Sequence, residues 1–272
     1  MTTLGLASLP INPIKIATDN EIEVQSWEPK KAGVSGFFMK SGDAFGIGYS
    51  RFFDNKGFIN FTVGHELGHY FLPGHVEKLF AAGDGVHHSK SGFVSSDECE
   101  READLFSATF LMPKSLFMRA ARQSGEGFPA IQKLAGVCET SITATSIRFA
   151  ECAEDPVAVI VGSAGRVDFW CASPVICDWR GLTWLKAGDL IPASSTTARF
   201  QADALNISRG ATAEGTAFLD EWFEGAPRIE MKEDVVGLGN YGKSLTVLFT
   251  TEPLEEDEEE DEEKSYLPSW RR

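Results

Sequence analysis

The sequence predicts an α+β protein whose two parts follow one another along the chain. In the first half, a predicted β-hairpin precedes segments whose apolar residues recur at helical spacing. From Pro156 onward, β-rich runs such as VAVIVGSAGRVDFWC take over, and SLTVLFT near the end predicts another strand. A chain of 272 residues with 43% hydrophobic residues is long enough for one large domain or two modest ones.

The first half begins with a short predicted helix over residues 13–20 and a hairpin within residues 33–50. In the hairpin, VSGFFMK and AFGIGYS flank the turn sequence SGD. Asp54 or Asn55 is expected to cap a first long helix, which contains VGHELGHYF and ends before Pro73.

A second long helix is predicted after residues 75–94, whose richness in Gly, His and Ser indicates a loop. Ser95 and Glu98 have the spacing of a capping box at its start, and Pro113 ends it. Its predicted buried residues share one face: Ala103, Phe106, Phe110 and Leu111. Another helix is expected over residues 115–124.

Residues 128–155 predict two short helices joined by a turn near Thr140 and Ser141, which is the outline of a helix-turn-helix. The charges do not favour DNA contact, because acidic side chains outnumber basic ones. They are Lys133 and Arg148 against Glu139, Glu151, Glu154 and Asp155. A packing role is the favoured interpretation, with DNA contact and partner docking as alternatives. Residues 181–240 give no clear pattern.

The net charge of −15 is concentrated in nine consecutive acidic residues, EEDEEEDEE at 255–263. Without this run, 31 acidic residues against 25 basic ones leave −6. A block of like charge predicts a solvated, disordered tail, with attraction of a basic partner or mimicry of nucleic acid as alternatives. Direct nucleic-acid binding is not expected, because affinity for phosphate backbones requires an excess of Lys and Arg.

The cysteines and the N-terminus predict a cytoplasmic protein without membrane contact. Cys99, Cys138, Cys152, Cys171 and Cys177 are widely spaced and form no CxxC pair, which is typical of reduced thiols. No run reaches the roughly 18 apolar residues of a membrane span, and the first residues lack the basic and apolar regions of a secretory signal.

The segment His65-Glu66-Leu67-Gly68-His69 has the H-E-x-x-H pattern of a metal-binding helix. Histidines four residues apart lie on one face of a helix, one turn from each other, and two imidazoles at that separation can share a cation. Zn²⁺ is favoured because it accepts neutral imidazole and a four-coordinate site that includes water. Glu66 is placed to act on that water without being a ligand.

A third ligand is available in the second long helix. Glu100 and Asp104 are four residues apart and share a face, which suits one carboxylate ligand and one carboxylate that orients an imidazole. Three protein ligands leave a place for water, as in a catalytic zinc site. Several neighbours are expected to stay outside the metal: Glu98 and Glu102 as solvated acids, Cys99 as an inert thiol, and His75, His87 and His88 as loop residues near the substrate.

FTVGHELGHYFL followed by ECEREADLFSATFLMP resembles the ImmA/IrrE family of zinc metallopeptidases. The family joins a helix with HELGH to a downstream helix of the form E-x-E/Q-A-N/D-x-F-A-x-x-L-L-M-P, and residues 100–113 follow this form. The resemblance is specific over about residues 58–117 and looser through residue 155. Ser107 stands where the family usually has Ala, and Asp104 where Asn is common.

The resemblance implies how the chain is divided. Residues 1–125 are expected to form a zincin-like minimal metallopeptidase domain, with active-site helices and a small β-sheet. A helix-turn-helix-like segment is expected over residues 126–155, and a smaller α+β, GAF-like sensor domain over residues 156–252. Residues 253–272 form the acidic tail, which has no counterpart in the family pattern.

The resemblance also implies a site-specific endopeptidase that cleaves a helix-turn-helix repressor of the XRE type and so derepresses stress-response or mobile-element genes. His65, His69 and Glu100 would hold Zn²⁺, with Mn²⁺ as an alternative, and Glu66 would be the general base.

The donor to the oxyanion is not fixed by the resemblance, and Tyr49 and Tyr70 are the candidates from the sequence. The hairpin is expected to offer an edge strand to an extended substrate. Two other functions stay open: a non-catalytic, zinc-stabilised antirepressor, and a DNA-binding regulator that uses residues 128–152.

Overall fold

The computed structural model describes residues 8–28, 33–52, 55–90 and 97–250 of the chain. Two β-sheets with their own flanking helices follow one another in sequence, as expected for an α+β protein. Among the described helices, none combines the length and the apolar content that crossing a bilayer requires.

The first sheet has four strands in the order β1-β3-β2-β4. Its strands and the helices around it are α1 (Pro13–Asp19), β1 (Glu23–Trp27), β2 (Val34–Ser41), β3 (Ala44–Ser50), α2 (Lys56–Phe71), α3 (His75–Leu79), β4 (Gly85–Lys90), α4 (Glu98–Leu111) and α5 (Lys114–Ala121). β2 and β3 form the predicted antiparallel hairpin, β4 is antiparallel to β2, and β1 is parallel to β3.

Side chains cap the N-terminal ends of the two long helices, α2 and α4. The side chain of Asn55 accepts a hydrogen bond from the backbone N–H of Phe58 and starts α2, as one of the two predicted caps. Asp97 caps α4 by accepting from the N–H of Cys99. The other predicted caps, Asp54 and Ser95, lie outside the described residues.

The prediction of a loop over residues 75–94 is wrong for most of its length. His75 begins α3, and residues 85–90 form β4. β4 pairs with β2, with His87 opposite Phe38 and His88 opposite Phe37. Pairing with β2 gives backbone N–H and C=O groups of residues 85–90 hydrogen-bond partners. The Gly- and His-rich composition of this segment does not predict that pairing. Residues 91–94 lie outside the described part of the chain.

The hairpin does not offer an edge strand, contrary to expectation. β2 and β3 are both internal, and the outer strands of the sheet are β1 and β4. The sequence did not predict β4 as a strand, so the edge that β4 forms is known only from the structure. Among the described strands, β4 rather than the hairpin therefore forms the edge of the sheet beside β2.

α2 and α4 pack closely because glycines of α2 face small residues of α4. A Cβ on Gly64 would lie 2.6 Å from Ser107 Oγ, and a Cβ on Gly68 would lie 3.0 Å from Ala103 Cα. Ser107 is fully buried, and its hydroxyl donates to the carbonyl of Phe61 on α2 at 2.8 Å. The two helices that carry the HELGH and acidic motifs are therefore held side by side.

The second sheet is antiparallel, in the order β6-β5-β9-β8-β7. The elements of this half are α6 (Gly127–Cys138), α7 (Ile142–Cys152), β5 (Val157–Ser163), β6 (Arg166–Ala172), α8 (Pro174–Cys177), α9 (Thr196–Gln201), α10 (Ala204–Ser208), β7 (Thr212–Phe218), α11 (Leu219–Trp222), β8 (Glu230–Gly237) and β9 (Ser244–Phe249). The strands expected at its start and end, β5, β6 and β9, are present.

α6 and α7 are packed on two sides. Leu134 and Cys138 belong to the core of the first half, whereas Phe128 and Ile131 pack against the second sheet. Within α7, Glu151 is the one exposed residue. A helix so enclosed has little surface for a DNA groove, which agrees with the favoured packing role. The domain boundaries themselves stay predictions, and the acidic run at 255–263 lies outside the described residues.

Candidate metal centre

α2 brings two imidazoles together on its buried face. His65 and His69 lie one turn apart, and their Nε2 atoms are 3.1 Å from each other. His69 is fully buried and His65 is nearly so. Two nitrogen atoms that face each other in this way can both bind one cation through their lone pairs.

α4 adds Glu100 to the two imidazoles. Its Oε2 lies 3.4 Å from His65 Nε2, and its Oε1 lies 3.4 Å from His69 Nε2. A tetrahedral ion with ligands at ~2.0–2.1 Å separates those ligands by about 3.3–3.4 Å. The described residues therefore bring His65, His69 and Glu100 together in a set that fits one divalent cation.

Each imidazole makes a second hydrogen bond through its other nitrogen. His65 Nδ1 lies 2.8 Å from Asp104 Oδ1, so Asp104 sits where a carboxylate that orients a ligand was expected. His69 Nδ1 lies 3.1 Å from Nδ1 of His75, and Nε2 of His75 lies 2.9 Å from Glu102 Oε2.

Glu66 is enclosed between α2 and the first sheet. Its side chain is fully buried, and among the described residues neither carboxylate oxygen has a partner in hydrogen-bonding geometry, although the buried hydroxyl of Ser89 lies near enough to lower the pKa of Glu66. Gly36 on β2 leaves the space that Glu66 occupies, since a Cβ on Gly36 would collide with Glu66 Oε1. A buried carboxylate without a partner is costly in a folded protein and requires an explanation.

β4 brings a further histidine to the centre. His87 Nε2 lies 2.8 Å from Glu100 Oε1, and the rings of His87 and His69 are 5.1 Å apart. His88, the next residue, lies on the opposite face of the strand, is exposed, and packs edge-on against Phe37. The period of two residues along a strand is the reason why one histidine reaches the centre and its neighbour does not.

Comparison with known proteins agrees with this geometry. Residues 59–142 match the family model Peptidase_M78, described as an IrrE N-terminal-like domain. This match supports a resemblance of residues 59–142 to the ImmA/IrrE family. Its fold is similar to a solved structure named "Mycobacterium tuberculosis transcriptional regulator", with a TM-score of 0.53 and 13% sequence identity, over 87% of this chain and 68% of that one. No curated protein matches the chain.

Strong electrostatic interactions link the residues of this centre. Burial alone would lower the pKa of His65, but hydrogen bonds to Asp104 and Glu100 and the charge of Glu66 outweigh it and raise that pKa to about 10. Burial and the charge of His65 lower the pKa of His69, against the opposing effect of Glu100. A metal at this site therefore finds His69 neutral and replaces a proton on His65.

The two carboxylates of the centre respond in opposite ways. Burial raises the pKa of Glu66 to about 7, although His65, Ser89 and His87 act against the rise. Burial would also raise the pKa of Glu100, but hydrogen bonds from His65, His69 and His87 hold it well below its usual range. Glu100 is thus ionised as a ligand must be, and Glu66 can exchange a proton near neutral pH.

The tyrosines considered as oxyanion donors take part in the apolar core of the first half. The ring of Tyr70 packs edge-on against Phe38 and Phe45, at 6.4 and 5.2 Å between ring centroids. Tyr49 is partly buried at the margin of the same core. Whether either tyrosine donates to a substrate stays a prediction.

The expectations for three other residues need correction. His75 is buried in α3 rather than exposed in a loop, and His87 contacts Glu100 from a strand. Glu102 was expected to be only solvated, but its carboxylate contacts His75. The signal for His75 was present in the sequence as a third histidine six residues after His69; no local pattern indicates His87, because a strand pairing between distant segments places it.

Proposed function

We propose that this chain is a site-specific metallo-endopeptidase in which His65, His69 and Glu100 hold Zn²⁺ and Glu66 is the general base. Mn²⁺ also fits two imidazoles and one carboxylate. The observation that carries the proposal is the position of Glu66, a buried and unpartnered carboxylate directly beside the three converging ligand atoms. A purely structural metal site has no use for such a group.

The chain's residues supply the proton chemistry of peptide hydrolysis. The bound metal would act as a Lewis acid and lower the pKa of water at its open position. Glu66 takes a proton from the attacking water and delivers it to the leaving amine. A pKa of about 7 suits both roles, because the same carboxylate must accept and release a proton in one turnover.

His87 is our proposed donor to the developing oxyanion, ahead of Tyr49 and Tyr70. Its Nε2 reaches the ligand cluster, and its side chain is about a quarter exposed, so a substrate can approach it. The ring carries an N–H that can leave Glu100 and donate to a substrate oxygen. Replacement of His87 by Phe should lower kcat more than it raises KM.

The substrate we propose is an extended protein segment laid along β4. β4 is an outer strand of the sheet and carries His87, so an added strand would pass the metal ligands. The resemblance of the motifs makes a helix-turn-helix repressor the leading substrate, which this chain would meet in the cytoplasm. We propose a sensor role, GAF-like in character, for the second sheet.

Cleavage of a repressor tests this function. The purified chain, loaded with Zn²⁺ or Mn²⁺, is incubated with the repressor encoded beside it, and the fragments are identified by mass. We expect one defined cut by the wild-type chain and none by Glu66→Gln, which should still bind metal. Glu98→Gln, a change at an exposed acid of the same motif, is the matched control and should cut normally.

Two results would contradict the proposal. Undiminished cleavage by Glu66→Gln removes Glu66 as the base. Stable binding of an intact repressor, without product after prolonged incubation, favours the antirepressor instead.

A further inference from the structure

A chain of hydrogen bonds leads from the metal centre to the protein surface through His75. His69 turns its Nε2 toward His65 and Glu100, and its Nδ1 lies 3.1 Å from His75 Nδ1. The other nitrogen of His75 lies 2.9 Å from the carboxylate of Glu102. His75 is buried, whereas the side chain of Glu102 is 54% exposed.

The positions of the protons in this series of hydrogen bonds follow from one requirement. A neutral imidazole that binds a metal through Nε2 carries its single proton on Nδ1. His69 must then donate from Nδ1, so His75 accepts at Nδ1 and carries its own proton on Nε2. That proton points at Glu102, an acceptor. In this one arrangement, every donor and acceptor of the hydrogen bonds that link His69, His75 and Glu102 has its partner.

We propose that His75, backed by Glu102, is a positioning residue that fixes the tautomer and ring orientation of the metal ligand His69. The inference rests on the proposed metal centre. It gives the two histidine ligands different supports: His65 is held directly by a carboxylate, Asp104, and His69 is held by a carboxylate through a second imidazole. The hydrogen bonds that support His69 therefore end at Glu102, whose carboxylate is exposed to solvent.

The same residues invite another interpretation, which the proton positions oppose. Ligand atoms of His75, Cys99 and Glu102 lie within 4.8 Å of one another and resemble a second metal site. However, His75 Nε2 carries a proton whenever His69 binds a metal, so it has no lone pair for a second ion. Lys78 also places a positive charge beside Cys99 and Asp97. The cluster serves the first metal rather than binding another.

Metal affinity measured by chelator competition tests the role of His75. His75→Leu removes the acceptor for His69 and should weaken Zn²⁺ binding roughly 10–100-fold. His75→Gln restores a carbonyl acceptor and should recover part of that loss. Glu102→Gln should weaken binding less, because His75 remains. His88→Leu replaces an exposed histidine of the neighbouring strand and is the control, with wild-type affinity.

A spectroscopic readout separates positioning from a general loss of structure. ¹⁵N NMR of the Zn²⁺-loaded wild-type chain should show His69 bound through Nε2 with a proton on Nδ1, and His75 with its proton on Nε2. Glu102→Gln, at the surface, should fold normally and still show a shifted His75 resonance. These two measurements decide the case even if His75→Leu does not fold.

Each contrary outcome has a distinct meaning. A wild-type chain that binds no stoichiometric metal overturns the proposed function itself. Wild-type affinity of folded His75→Leu, or a proton on Nε2 of His69, overturns the positioning role alone. A second equivalent of Co²⁺ with a thiolate charge-transfer band that Cys99→Ser abolishes establishes the rival site instead.

Discussion

Gly36 and Glu66 share a close contact that fixes where the buried carboxylate of Glu66 lies. Gly36 is on β2 and Glu66 is on α2, and there is no room for a methyl group between them: a Cβ on Gly36 would collide with Glu66 Oε1 and lie 2.6 Å from Thr62 Cγ2. The absence of a side chain at Gly36 thus leaves the space that the carboxylate of Glu66 occupies against the sheet.

Gly36→Ala should therefore displace Glu66 and lower peptidase activity sharply while metal affinity stays near wild type. Overpacking of this kind costs about 1–3 kcal/mol of stability, to be measured by urea unfolding. Gly85→Ala is the matched control, since nothing lies within 4 Å of a Cβ at that position of the same sheet. Equal activity of the two variants would show that Glu66 is not held by this contact.

Asp104→Asn should weaken metal binding, because Asp104 accepts the hydrogen bond that orients His65. Loss of such a carboxylate typically costs 10–100-fold in metal affinity, roughly what chelator competition should show here. Asn is common at this position in the family, so part of the affinity should remain. Glu98→Gln, in the exposed first turn of the same helix, is the control and should bind as wild type. Identical affinities would exclude an orienting role for Asp104.

Metal-free protein should lose stability as the pH rises from 7 to 9, and His65 is the reason. Its pKa is near 6.5 in the unfolded chain and about 10 in the fold. A raised pKa gives stability that is fully present below 6.5 and lost as the pH rises toward 10. Over pH 7–9 the expected slope is up to about 1.4 kcal/mol per pH unit.

Urea unfolding of the metal-free chain at pH 7, 8 and 9 measures this slope, with His65→Gln as the comparison. The raised pKa of Glu66 contributes mainly below pH 7. Four cysteines also have raised pKa values, which lower stability in both proteins as the pH approaches and passes 9: Cys138, Cys152, Cys171 and Cys177. The difference between the two slopes therefore isolates His65. Parallel slopes for the two proteins would mean that His65 does not carry the extra proton.

Ser107→Ala should lower stability without changing metal affinity. The buried hydroxyl of Ser107 donates to the carbonyl of Phe61 and so ties α4 to α2. Loss of one such hydrogen bond costs about 0.5–1.5 kcal/mol. Alanine is the usual residue of the family here, so the close packing at Gly64 should survive. A loss of metal binding comparable to that of Asp104→Asn would contradict this separation of roles.

The elements that local patterns describe well could be predicted from the sequence. The hairpin, α2, α4 and the pair α6–α7 follow from turn residues and apolar spacing, and the convergence of Glu100 on His65 and His69 follows from two motifs on two helices. Long helices with a regular spacing of apolar residues can be predicted from sequence, because the backbone hydrogen bonds of a helix are local.

The contributions of β1, β4 and the histidines beyond HELGH could not be predicted in the same way. β4 forms by pairing with β2 some fifty residues earlier, and β1 pairs in parallel with β3. Such pairings depend on distant backbone partners rather than on composition. His87 reaches Glu100 only because of the register of β4, and His75 reaches His69 only because the chain turns at Gly74 into α3.

X-ray absorption at the zinc edge tests the central claim most directly. The chain, loaded with one equivalent of Zn²⁺, should show two imidazole nitrogens and oxygen ligands at ~2.0–2.1 Å and no sulfur. Glu100→Gln should change the oxygen shell, and His65→Gln should remove one imidazole. A sulfur ligand at ~2.3 Å, or an unchanged spectrum in both variants, would place the metal elsewhere and contradict the account.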